Sequence, residues 1–245
     1  MALLVDGAWC SVGDLQAYDG SAMTIANEEG IDLAAKMTLS EAWITDRVDA
    51  FLRWEAARLT AQNAVVDERL KRWHLCNVLA LLYRDASFSQ ENDRFEKRWK
   101  AYEQDAQRKK SEYFLAGVAY VACPVRKPDA PTVNVIVGTQ AAGAYTVATT
   151  RVDTAGRESA LSPEAAVEAP AGNGLTVTAN GLASSEGWNV YASNGTGTLY
   201  RQNSTPLAAG VTWTLPASGL TQGTAAGSGQ TPDGTIRQRR ILPRG

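Results

Sequence analysis

The sequence predicts a multidomain chain, α first and β second: an N-terminal helical bundle with one long helix, a C-terminal antiparallel β-sandwich and an extended C-terminal tail. Three observations carry this. The length, 245 residues, exceeds the usual span of a single domain. Charge is concentrated early: 17 of the 24 lysines and arginines and 20 of the 26 acids precede Pro131, which leaves 7 and 6 for the remainder. Proline is absent from residues 1–123, and beyond Lys127 the chain turns to Gly, Ala, Thr, Ser and Val, the composition of short strands joined by tight turns. The expected divisions are a helical domain over 1–126, a linker over 127–131, a sandwich over 132–226 and a basic tail over 227–245.

Within the helical half, Ser40 precedes Trp43, Val48, Phe51, Leu52 and Leu59 at three- and four-residue steps, which predicts a helix over about 40–60. Val66, Leu70, Trp73, Asn77 and Leu81 then form one stripe, with Leu75, Val78, Leu79 and Leu82 on the adjacent face. A helix apolar over so much of its circumference belongs at the centre. From Gln90 onward Phe95, Trp99, Tyr102, Ala106, Lys109, Tyr113 and Tyr120 keep a helical period. That predicts a helix of about thirty residues, roughly 45 Å long, more than two or three shorter partners would cover. Phe95, Trp99, Tyr102 and Tyr113 are therefore inter-subunit candidates; the alternative is an intrachain bundle in which this stripe is core.

Lys127-Pro-Asp-Ala-Pro131 reads as a stiff linker, because each proline restricts itself and the residue before it. Val133 to Val137 and Tyr145 to Val152 alternate at period two, as half-buried strands do. Leu175 to Thr178, Trp188 to Tyr191, Leu199 to Arg201 and Val211 to Thr214 continue the series between turn clusters. Six or seven short strands make a sandwich, with Trp188, Tyr191 and Trp213 as its large core residues. From Gly223 the periodicity fades, and Arg237, Arg239, Arg240 and Arg244 close the chain with Ile236, Ile241 and Leu242 interleaved. Such a segment can add as a strand to a partner's sheet edge while its arginines meet acids; as a bare tail it would only solubilise.

Several function classes are disfavoured. A formal charge of −2 supplies no global field toward nucleic acid or an anionic membrane. The longest apolar run, Leu115 to Cys123, falls well short of the roughly twenty residues of a membrane span, and Met1-Ala-Leu-Leu-Val-Asp6 lacks a secretion signal's basic start and apolar core. A soluble protein without membrane contact is expected. Cys10, Cys76 and Cys123 are odd in number and widely spaced, against a disulfide framework or zinc site. His74, the one histidine, lies in the most apolar helix and reads as a core residue. No P-loop, dinucleotide-binding glycine motif or metalloprotease motif occurs, so no enzyme, cofactor or metal is expected.

The order of several stretches resembles the helical adaptor, or head-completion, family of tailed-phage head-tail connectors. They are Glu29-Gly-Ile-Asp-Leu33, Leu82-Tyr-Arg-Asp-Ala86, Asn92-Asp-Arg-Phe95 with Trp99, and Val121-Ala-Cys-Pro124. Ala155-Gly-Arg-Glu-Ser-Ala-Leu-Ser-Pro163 and Gly187-Trp-Asn-Val-Tyr191 look like the immunoglobulin or fibronectin-type modules of phage virion proteins. The resemblance implies a dodecameric ring in the virion neck, assembled in the host cytoplasm, whose partners are the portal protein, tail or tail-completion proteins and its own copies. Helical domains would line the channel near genomic DNA without specific contact. It also implies that the tail reaches the portal, which makes Arg237, Arg239, Arg240, Ile241 and Leu242 the portal-docking candidates. Two other readings stand beside it: a different tail or fibre-attachment component, and a carbohydrate-binding module on a helical oligomerisation domain, which needs Trp188 or Trp213 facing solvent.

Overall fold

The computed structural model describes residues 1–89, 94–195 and 197–239. Five helices precede a set of antiparallel strands, so the α-then-β architecture is borne out. The chain forms two compact units: one comprises Leu3–Cys123 with Pro232 onward, the other Met1–Ala2 with Pro124–Thr231. In chain order the sandwich is therefore an insertion within the helical unit.

The helices start where short polar side chains can hold orphan backbone amides. Ser11 and Asp14 cap each other's amides at 3.1 and 2.7 Å to open α1 (Val12–Tyr18). After α2 (Ala22–Glu28), Asp32 accepts the Ala35 amide at 3.0 Å and starts α3 (Leu33–Glu55). The structure thus begins this helix seven residues before the expected Ser40, because Asp32 is the cap and Ser40 lies inside, fully buried. Asp67 accepts the Leu70 amide at 2.8 Å as α4 (Glu68–Ser89) begins. As its apolar circumference predicts, α4 is central, packing on α1, α2, α3 and α5 with Leu70, Trp73, Val78, Leu79, Leu82 and Tyr83 buried.

The helix expected over about thirty residues is α5 (Glu96–Ala116), 21 residues long. Gly117, at φ +103°, ends it, and Tyr120, which keeps the helical spacing, instead lies in strand β1 (Val118–Tyr120). At roughly 32 Å α5 matches the 22-residue α4 beneath it, so its length requires no second subunit.

The other unit is a two-sheet antiparallel sandwich. One sheet has the order β2-β5-β9, from Asp129–Gln140, Asn173–Asn180 and Trp213–Thr214. The other has β4 (Ala165–Ala169), β3 (Gly143–Val152), β6 (Gly187–Asn194) and β7 (Tyr200–Arg201) in that order, with β8 (Leu207–Ala208) also on β6. Tyr145, Val147, Leu175, Val177, Trp188, Val190 and Trp213 fill the space between them. Asp129–Pro131 already belong to β2, so Pro131 lies in the opening residues of a strand that follows Pro128, and this stretch of the unit begins at Pro124.

Strand β3 departs from the expected half-buried pattern: it and its neighbour β6 are buried on both faces. Ala148, Tyr191 and Leu199 form a smaller cluster on the side away from the main core, with Leu161 and Ala226 packed against it. Glu158 organises the polar groups there, accepting from Asn189 Nδ2 at 2.8 Å, Tyr191 Oη at 2.9 Å and the Thr150 hydroxyl. Residues 227–231, expected as tail, are part of this unit: the Gln230 side chain accepts the Val125 amide and its carbonyl the Met1 amino group, both at 2.6 Å.

Candidate functional site

The two halves of the helical unit's chain meet at β1. Its partner is β10 (Gly234–Ile236), antiparallel, with Val118 opposite Ile236 and Tyr120 opposite Gly234. The other edge of β1 is also occupied, since the Val65 amide donates to the Ala119 carbonyl at 3.1 Å and Val121 to Asn63 at 2.8 Å. Asp233 extends the pairing, its amide donating to the Tyr120 carbonyl at 2.9 Å and its carboxylate accepting the Ala122 amide at 2.7 Å.

Gly117 makes this approach possible, because a Cβ there would lie 2.9 Å from Arg237 Cγ and 3.1 Å from the Ile236 carbonyl oxygen. Beyond the strand, the Arg239 amide donates to Glu55 Oε2 at 3.1 Å, and its guanidinium donates to the Glu55 carbonyl at 3.1 Å. Glu55 ends α3 and is buried. The segment 232–239 is thus a strap over the helical unit.

Of the five portal-docking candidates, Arg237 and Arg239 lie on this strap with exposed side chains; Arg240, Ile241 and Leu242 lie outside the described residues. The strand-forming capacity read from the tail's alternation is realised in part within the chain itself. β1 offers an adjacent edge with no entropic cost of bringing two molecules together.

Three of the four inter-subunit candidates turn inward. Phe95 and Tyr113 are buried in their own chain's core, and burial pushes the Tyr113 hydroxyl up from its ordinary range. Tyr102 stacks on Tyr83 at 5.5 Å and 12°. Both hydroxyls donate to Asp19 Oδ2, at 2.9 and 2.6 Å. Burial by itself would raise the Asp19 carboxyl, but the hydrogen bonds from Tyr83, Ser21 and Tyr102 outweigh it and hold the group below its usual range. These three aromatic residues are therefore used within the chain, because α5 is no longer than its partner.

Trp99 differs. It is half-buried and helps line a groove of about 340 Å³ between α3, α4 and α5, with Leu39, Trp43, Leu81, Arg84 and Glu103. Exposed Phe88 lies over Trp99 with ring centroids 5.6 Å apart. Trp43 has the Arg47 guanidinium 5.2 Å and the Lys110 ammonium 5.7 Å from its ring centre. Periodicity assigns Trp43 and Leu81 to core; an open seam between three helices has no signature in a single helix's pattern.

His74 is fully buried, its Nδ1 3.0 Å from Ser40 Oγ, which also receives a hydrogen bond from Asn77 at 2.8 Å. Nε2 lies 3.9 Å from the Glu41 carboxylate, beyond hydrogen-bond distance. Burial lowers the imidazole to a pKa of about 4, which keeps it neutral near pH 7. Cys10 and Cys76 are buried, and burial pushes Cys10 up to about 12; Cys123 is exposed. Among the described residues no helix is long and apolar enough to cross a membrane. Trp188 and Trp213 are both buried, so the exposed aromatics that the carbohydrate-binding reading needs are not supplied by either.

Fold and site together define a helical unit closed by its own C-terminal strap, with an antiparallel sandwich that falls, in chain order, between β1 and β10. No protein-family model and no curated protein sequence matches the chain.

Proposed function

We propose that the chain is a structural component of a tailed-phage virion, a neck adaptor that docks beneath the portal as a dodecameric ring and continues the DNA channel toward the tail. It acts by assembly and carries out no catalysis. The observation that carries the reading is that the basic C-terminal segment belongs to the helical unit, not to the sandwich that precedes it in the chain. In a connector the helical unit forms the ring, so an arginine-rich end anchored there is available to the portal. The strap holds its root through β10 and Arg239, and residues 240–245 follow as Arg-Ile-Leu-Pro-Arg-Gly. The order β4-β3-β6-β7 opposite β2-β5 parallels C′-C-F-G opposite B-E in immunoglobulin-type sandwiches, in keeping with a decorating module.

The test compares the parent protein with a variant ending at Arg239, which retains the strap. Light scattering and negative-stain imaging follow each alone and with the cognate portal. Rings on the portal formed by the parent and lost by the variant are expected. A particle indifferent to the portal would overturn the reading in favour of a tail or fibre-attachment component.

A further inference from the structure

The longest strand of the sandwich is also its least protected. β2 runs for 12 residues, Asp129–Gln140, at the end of its sheet, and among the described residues it pairs only with β5. Natural sheet edges are usually short, charged or covered. The other end strands here are short, with five residues in β4 and two each in β7 and β9. No charged residue occurs from Ala130 to Thr150.

Which backbone groups are open follows from two hydrogen bonds. Gly138 donates its amide to the Gly172 carbonyl, so even-numbered residues of β2 turn toward β5. Leu215 donates to the Leu175 carbonyl, so Leu175 turns to β9 and its opposite number Val135 makes no main-chain bond to it. The amides and carbonyls of Val133, Val135 and Val137 therefore point out from the free edge.

Their side chains share the face of Leu175 and Val177, yet the cover ends beyond Val133: Val135 is 38 % and Val137 90 % exposed, and Ile136 on the opposite face is 37 % exposed. An open edge with apolar residues on both faces is completed by another strand.

We propose that β2 pairs with β2 of a second copy of this chain, antiparallel about a two-fold axis at Val135. That register alone uses all three outward residues, setting Val135 against Val135 and Val133 against Val137, with about six main-chain hydrogen bonds. Every pair on the inner face is then valine on valine, and β-branched pairs are favourable cross-strand neighbours. Register shifts between Asp129 and Thr132 and between Val137 and Gln140 limit the regular stretch to this segment. An uncharged edge neither repels its own copy nor selects an acidic or basic foreign strand, and no other end strand among the described residues matches it in length. The result is a continuous sheet, β9-β5-β2-β2-β5-β9. This pairing does not depend on the connector reading, whose test lies in residues 240–245.

Analytical ultracentrifugation of the full-length protein without portal, across a hundredfold range of concentration, tests it. The double substitution Val135→Lys with Val137→Lys places charge on exposed positions and should halve the particle mass while the circular dichroism and melting curve stay those of the parent. In a Cys123→Ser background, Val135→Cys should cross-link to itself, since directly opposed, hydrogen-bonded residues have Cα atoms about 5.5 Å apart, within disulfide reach. Val211→Cys, also exposed in this unit, should not. A parent that stays monomeric, an oligomer whose mass the lysines leave unchanged, or equal cross-linking at 135 and 211 would overturn the proposal, and so would association only with a foreign strand.

Discussion

Arg239 and Glu55 are 184 residues apart in sequence and joined by two hydrogen bonds: the arginine's amide to the carboxylate, and its guanidinium to the glutamate's carbonyl, each at 3.1 Å. The Arg239 side chain is 78 % exposed, so its charge adds little against solvent screening. The amide bond to a buried carboxylate is the stronger element.

Replacing that carboxylate should loosen the strap. Glu55→Ala removes the acceptor at a loss of about 1.5 kcal/mol, roughly a tenfold change in the opening equilibrium. Hydrogen exchange at Arg239 should accelerate by that factor, and by less in Glu55→Gln, which keeps an oxygen. Unchanged exchange would mean that β10 alone secures the segment.

Gly117→Ala should act on the same strap from the other side. Its φ of +103° disfavours a side chain, and the new Cβ would press on Arg237 and Ile236. A loss of about 1–3 kcal/mol is expected, read as a lower urea midpoint. Gly20→Ala, with no atom within 4 Å of its Cβ position, serves as the control and should leave the midpoint nearly unchanged.

The buried histidine sets a pH dependence. His74 takes up its proton near pH 6.5 in the unfolded chain and near 4 in the folded one, because burial disfavours the charged form. Its contribution is fully present above pH 6.5 and declines as the pH falls from 6.5 to 4, because the unfolded state then binds the extra proton. The total is about 3 kcal/mol. His74→Gln should flatten that part of the stability profile relative to the parent, whatever its effect at pH 7; equal slopes would refute the assignment.

In the sandwich, Glu158→Ala should destabilise by about 2–3 kcal/mol, because the Thr150, Asn189 and Tyr191 donors lose a shared acceptor where Thr150 and Asn189 are buried. Burial and the Glu158 charge both raise the Tyr191 hydroxyl, so Glu158→Gln should lower its titration, followed by ultraviolet absorbance. A melting curve and phenol titration matching the parent would argue against this node.

Much of the architecture was legible locally. The apolar circumference of α4 predicts its central place, and the fall in charge near Pro131 predicts the change from helix to strand, because both express burial within one segment. Other features were illegible for equally physical reasons. The spacing that carries Tyr120 onto a helical stripe holds no record of Gly117's left-handed backbone, and the alternation of the tail names a strand without naming its partner. The double burial of β3 and β6 depends on Leu161 and Ala226, carried by segments that bond along β3 and residues 199–201, packing on Ala148, Tyr191 and Leu199, a contact that no local pattern records.

The sequence by itself determined that a helical half precedes a strand half, that α4 is central, and that Trp188 and Trp213 belong inside, since periodicity and composition act over a few residues. Only the tertiary structure decided that Arg239 returns to Glu55, that Phe95 and Tyr113 close against their own chain, and that β2 keeps an uncovered edge. Those outcomes rest on hydrogen bonds and packing between segments far apart in the chain, and the energy of such a contact is written in neither segment alone.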